Sequence, residues 1–174
     1  MNPILKKLEG GDLRSIGNAD EVAVEAEKDP SILKILLSEG IFSQDPVVRA
    51  RSADAAEKVG RKKPECIQPF KMLILNKASK INQKEVRWHV AQMLSCLTLN
   101  NSERRKAEEL LFTWVDSDDK SSIVKVFSLQ ALADLATQDK EIVERLHAKL
   151  EETLRTGSPA LKSRSRKLTK QLSD

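Results

Sequence analysis

Val48, Val86, Val124 and Leu161 follow one another at intervals of 38, 38 and 37 residues, and the segments that follow them keep the same apolar grammar. Set in register on these positions, the columns Ala53/Ala91/Leu129, Ala56/Leu94/Leu132 and Val59/Leu97/Leu135 are all apolar. Offsets of five, eight and eleven residues return to one side of a helix with 3.6 residues per turn, whereas a strand of period two would scatter them over both faces. A fixed period of this length marks a stacked structural repeat, in which each copy buries its apolar side against the next.

Between these helices lie partners with stripes of their own: Ile32, Leu33, Leu36 and Leu37; Ile67, Phe70, Met72, Leu73 and Ile74; Leu110, Leu111 and Trp114; Ile142, Val143, Leu146, Leu150 and Leu154. Each repeat is therefore expected to be a helical hairpin. Asp29-Pro30, Asp45-Pro46 and Ser158-Pro159 place a capping side chain before a proline suited to the first helical turn. Ser102 and Asp139 are weaker candidate caps. An offset of 34 lays Asn18-Ala19-Asp20 on Ser52-Ala53-Asp54, giving a divergent first repeat behind a short helix around residues 3–9. The expected architecture is an all-α superhelix of about ten helices in five hairpins, forming one domain over residues 1–174 with repeats near 1–28, 29–60, 61–98, 99–136 and 137–174.

The stretch DPVVRARSADAA, an Asp-Pro-x-Val-Arg opening with an Ala-rich continuation, resembles the second helix of a HEAT-like repeat of the armadillo/HEAT α-solenoid family. EVRWHVAQML and IVKVFSLQALADL resemble further copies, so the likeness covers nearly the whole chain. The resemblance implies a right-handed solenoid whose second helices line a concave binding surface. It also implies a ladder in which the Arg after the Val pairs with an Asp at the preceding turn and ties neighbouring repeats together. Arg49 and Arg87 match that pattern, while Lys125 and Lys162 depart from it, and the turn position reads Asp45, Gln83, Ser121 and Ser158. The ladder is accordingly expected to fade after the second repeat.

Composition supports a helical protein: aromatics are 3% with no Tyr, and Gly and Pro number six each. Cys66 and Cys96 lie without CxxC or Cys/His spacing, which favours buried inert thiols over a disulfide or zinc site. The start, MNPILKKLEGGD, lacks the apolar core of a signal peptide, and no apolar run approaches the roughly 20 residues of a membrane span. A soluble cytoplasmic protein is expected. The net charge of +4 is local, because residues 155–174 hold six basic residues against one acid.

Inside a stack only a narrow strip of each second helix should stay wet. The polar minimum of the pattern gives Arg51, Asp54 and Lys58; His89, Gln92 and Cys96; Phe127, Gln130 and Asp134; and Arg164, Lys167 and Gln171. This strip is the expected ligand-facing surface, with Phe127 as anchor and Arg51, His89 and Arg164 setting charge complementarity. The alternative is a solvated charged face.

A second resemblance is to alkylpurine DNA glycosylases built on HEAT-like repeats, in which Trp side chains and an Asp surround an exposed nucleoside. Trp88, Trp114 and Asp116 are the matching residue types, but Trp88 aligns with Ala50 and Val126 in what reads as a packing column. Asp116, Asp118 and Asp119 lack the turn glycine and distal Glu of a calcium loop, so they read as a capped turn. His147 has no Ser or Cys nucleophile at an activating spacing. His89 and Cys96 are about 10 Å apart along one helix, too far for a thiolate–imidazole pair. Gly10-Gly11 reads as an isolated turn. The basic end, with Lys162, Arg164, Arg166, Lys167 and Lys170, is the candidate phosphate-binding patch, or else a solvated cap docked through Leu161, Leu168 and Leu172. The expectation is a non-enzymatic, monomeric interaction module with a protein partner and nucleic acid as the alternative. No cofactor, metal or membrane contact is expected.

Overall fold

The computed structural model describes residues 2–118, 120–136 and 140–173, with backbone alone at positions 140 and 141. All regular structure among these residues is helical. In chain order the helices are α1 (Pro3–Lys7), α2 (Ala19–Lys28), α3 (Pro30–Ser38), α4 (Pro46–Lys62), α5 (Pro64–Ile67), α6 (Lys71–Asn76), α7 (Lys84–Ser95), α8 (Asn101–Asp116), α9 (Ser122–Ala136), α10 (Lys140–Thr156) and α11 (Pro159–Ser173). Among the described residues no helix is long and apolar enough to cross a membrane.

The helix starts follow the local chemistry. Asp29 and Asp45 accept from the backbone N–H of Ser31 and Val47 at 2.8 Å each, and proline occupies the first turn of both helices. Ser158 receives Leu161 N–H at 3.4 Å. Ser102 does not cap α8. Asn100 does, in a capping box with Glu103, because its side chain sits three residues before a Glu that returns the bond to the Asn100 N–H. Asp139, the other expected cap, lies outside the described residues, as does Asp119. The third first-helix departs from expectation: α5 and α6 are halves of one helix broken by the 3₁₀ turn Gln68–Phe70. Pro69 has no N–H to give the α ladder, and the break rotates Met72 outward to 52% exposure.

The chain divides into two compact units, Met1–Thr98 and Leu99–Asp174. In the first unit α4 lies between α2 and α7, with α3 packed on α2 and α4 and α6 packed on α7. Val48, Val86, Ala53, Ala91, Ala56, Leu94 and Val59 are fully buried in this stack. In the second unit α9 packs on α8, α10 and α11, and α10 pairs with α11. There Leu129 and Leu132 are fully buried, with Val124, Leu135 and Leu161 nearly so. Each buried Val or Leu among them contributes about 1.5–3 kcal/mol relative to exposure, and each Ala about 0.8 kcal/mol.

The basic residue after each Val has a common use. Arg49 donates to Ser43 O at 2.7 Å, Arg87 to Ile81 O at 3.2 Å, and Lys125 to Ser117 O at 2.5 Å. Arg49 also donates through Nε to Gln83 Oε1 at 2.7 Å, while Gln83 Nε2 donates to Pro46 O at 2.9 Å. Arg49 is thus tied to the turn of the following repeat through Gln83, while Asp45 of its own turn caps α4.

Candidate functional site

On α4, Ala50, Arg51 and Asp54 share a face, and on α7 so do Glu85, Trp88 and His89, because spacings of three and four residues meet on one side of a helix. Residues 13–16 lie over these two faces, and together they line a solvent-open cavity of about 160 Å³. Leu13 and Ile16 stand at its edge, 42% and 54% exposed. Trp88 is half-buried, its ring tilted 33° against His89 with centroids 3.4 Å apart. Trp88 is therefore a cavity wall as well as a packing residue.

The loop over the cavity is held by a buried cation. Arg51 donates to Leu8 O at 2.8 Å, Glu9 O and Ser15 O at 3.2 Å, and Asp12 O at 3.4 Å. Its planar fork suits several converging carbonyls, where a lysine would offer one point charge. Asp12 Oδ1 accepts from the N–H of Arg14 and Ser15 at 2.9 and 3.1 Å, and Ser15 Oγ accepts from Gly17 N–H at 3.2 Å. Gly10, Gly11 and Gly17 all adopt positive φ, so the loop is a built element and not an isolated turn.

Below it lies a buried polar cluster. Asp54 Oδ2 accepts from Lys58 Nζ at 2.8 Å, and Lys58 also donates to Asp20 Oδ1 at 2.5 Å. Burial acts to lower the pKa of Lys58, but the hydrogen bonds to Asp20 and Asp54 outweigh it and hold the group above the ordinary lysine value. Asp54 Oδ1 stands 3.9 Å from His89 Nε2, while Glu57 Oε2 stands 3.4 Å from His89 Nδ1. The other Glu57 oxygen has no hydrogen-bond partner and faces Arg61 Nε at 3.5 Å.

The expected wet strip is corrected in this unit. Arg51, Asp54 and His89 are 5%, 8% and 3% exposed, and Lys58 and Gln92 are half-buried. The reason is the loop of residues 8–17, which covers that face of α4 and supplies backbone carbonyls to Arg51. Gln92 Nε2 is buried without a hydrogen-bond partner. In the second unit the strip stays more open. Phe127, Gln130 and Arg164 are half-buried, and Lys167 is exposed. Arg164 donates to Gln130 Oε1 at 2.6 Å, its guanidinium carbon lies 6.0 Å from the Phe127 ring centre, and Gln130 Nε2 donates to Asp134 Oδ1 at 2.8 Å. These residues form one cluster, and Phe127 is neither fully open nor folded under.

Trp88 belongs to the first unit, while Trp114 and Asp116 belong to the second. Trp114 is buried, and Asp116 is exposed and accepts from Lys149 at 2.8 Å, which accounts for it as a surface ion pair. Cys66 and Cys96 form no disulfide and are half-buried, not fully buried as expected. On α11, Arg166, Lys167 and Lys170 are exposed and Lys162 is half-buried, while Leu161 and Leu168 are buried and Leu172 is half-buried. Sequence reasoning missed Leu13, Ile16, Glu57 and Glu85. The three glycines within eight residues were the available signal for the loop.

No family model matches the chain, and no curated protein matches it. Among solved structures, the crystal structure of an engineered protein is similar, with a TM-score of 0.61 at 19% identity over 95% of this chain and 78% of that one. Such a likeness bears on the fold alone: the chain defines itself as an all-α protein built of repeated helical pairs.

Proposed function

We propose that the chain is a cytoplasmic, monomeric interaction module of the HEAT-like α-solenoid kind, without enzymatic activity, that binds another protein. One observation carries this reading. Leu13 and Ile16 are held facing solvent, beside Trp88 and at the edge of a cavity, by a loop that Arg51 fixes through four carbonyls. Apolar side chains kept outward on a fixed loop contribute little to folding and are the anchors a partner needs. A cavity of about 160 Å³ has room for one large apolar side chain. The half-buried Phe127 with Arg164 offers a second anchor of the same kind.

The test is affinity capture from native cell extract, with nuclease present, by wild-type protein and by Leu13→Ser/Ile16→Ser. A specific protein retained by the wild type and lost by the variant supports the reading. Equal recovery by both removes it.

Nucleic-acid binding through α11 is the second reading, favoured by the exposure of Arg166, Lys167 and Lys170 on one helix together with Lys162 and Arg164. Duplex-DNA affinity that falls steeply with salt, and vanishes when Lys162, Arg164, Arg166 and Lys167 are substituted together, would support it. Binding unaffected by those changes sinks it.

A further inference from the structure

We propose that Asp54, Glu57 and His89 form a binding site for a single divalent transition ion of the zinc class. Three observations converge. The three side chains each offer a ligand atom, all within 4.8 Å of one another, and all three residues are buried. The carboxylates are divided in the same sense: Asp54 turns Oδ1 toward Nε2 of His89 at 3.9 Å and Glu57 turns Oε2 toward Nδ1 at 3.4 Å, while their other oxygens face a cation, Lys58 at 2.8 Å or Arg61 at 3.5 Å. Outer partners of this kind orient ligands in metal sites. Glu57, only 3% exposed, has no hydrogen bond on Oε1, which faces Arg61 alone at 3.5 Å, so this buried carboxylate is incompletely satisfied and a cation bound at its Oε2 side would stabilise it.

The donor set selects the ion. One imidazole nitrogen with two carboxylate oxygens suits zinc, cobalt, nickel or manganese, whereas calcium requires six to eight oxygens and magnesium prefers all-oxygen shells. Tetrahedral bonds of about 2.0–2.1 Å place ligand atoms about 3.4 Å apart, against 4.8 Å or less here; the ion takes one ring nitrogen of His89, and the carboxylate that faces the other nitrogen rotates toward it to complete the set. The scaffold suits this, since Asp54 and Glu57 stand three residues apart on α4 and His89 faces them from α7, which packs against it. Asp54 and His89 also line the cavity, which gives an entry path and leaves the fourth position open to water or to a donor atom from a bound partner. The site does not depend on the protein-binding reading, because the ion would bind the isolated chain.

The test is calorimetric titration of metal-free, full-length protein with zinc at neutral pH, supported by the visible spectrum after cobalt loading. One equivalent of zinc bound with micromolar or tighter affinity, a tetrahedral cobalt spectrum and a raised Tm are expected. His89→Gln and Glu57→Gln should each weaken binding about 100-fold or more while leaving the helical circular-dichroism signal. His147→Gln, which alters the other histidine of the chain, should change nothing. If the His89 variant does not fold, the near-isosteric Glu57→Gln decides alone. Absence of stoichiometric binding, or binding that survives Glu57→Gln, overturns the proposal.

Discussion

Gly17 and Arg51 compete for one space. A Cβ on Gly17 would lie 2.6 Å from Cζ of Arg51 and 2.7 Å from its Nη1, and Gly17 already holds φ at +50°. Gly17→Ala therefore meets two penalties, the left-handed backbone and displacement of the guanidinium from its carbonyls, and should cost the first unit about 3 kcal/mol. Gly10→Ala, also at positive φ but with nothing within 4 Å, should cost only about 1 kcal/mol. Urea denaturation of the two variants checks the difference.

Gly40 meets the side of α4 with no room to spare, its missing Cβ falling 2.2 Å from Ser52 Oγ and 2.9 Å from Leu5 Cδ2. Gly40→Ala should destabilise by about 2 kcal/mol through overpacking. Pairing it with Ser52→Ala or Ser52→Gly should recover part of the loss in a double-mutant cycle.

Phe127 and Phe112 separate packing from recognition. Phe112 is 2% exposed beneath the Arg145 guanidinium, 3.9 Å above its ring centre, and Phe112→Ala should cost about 3–5 kcal/mol. The half-buried Phe127 should lose about half that on truncation, with its larger effect on a partner's affinity.

Thr153 Oγ1 and Ser165 Oγ lie 2.6 Å apart, buried between α10 and α11. Thr153→Val alone strands the serine hydroxyl and should cost about 1–3 kcal/mol, whereas Thr153→Val/Ser165→Ala should be closer to wild type. Thermal melts of the three variants measure the coupling.

Asp29 links the cap of α3 to pH. Its hydrogen bonds to the Ser31 side chain and N–H hold the carboxyl below the usual value of 3.8. The folded value is the lower one, so the contribution is complete above the unfolded value and is lost as pH falls through the folded one. Asp29→Asn should match wild type at neutral pH and show less acid destabilisation below about pH 4, read from stability curves at a series of pH values.

The apolar columns from Val48 to Leu161 were legible because a helix repeats its burial every few residues, and local sequence records that period directly. The Asp-Pro starts were legible for the same reason. The cap of α8 was legible too, since Glu103 three residues after Asn100 marks a capping box that Ser102 lacks, and Pro69 announced the break between α5 and α6. The role of Arg51 left no such mark. Its acceptors are backbone carbonyls of residues 8, 9, 12 and 15, at least 36 positions away, and any residue type supplies a carbonyl. The same distance hid the cluster: Glu57 and His89 are 32 residues apart. A helical wheel assigns polar residues to water, and only the covering loop reverses that assignment.

The most direct measurement is native-state cleavage by trypsin after Arg14 in Arg51→Met, followed with hydrogen exchange across residues 8–17. Cleavage at least tenfold faster than in wild type, with lost amide protection confined to that loop and α4 to α7 still protected, is the result expected if the inward-turned arginine fixes the cavity's cover. Unchanged cleavage and protection would contradict it and return Arg51 to the solvent-facing strip.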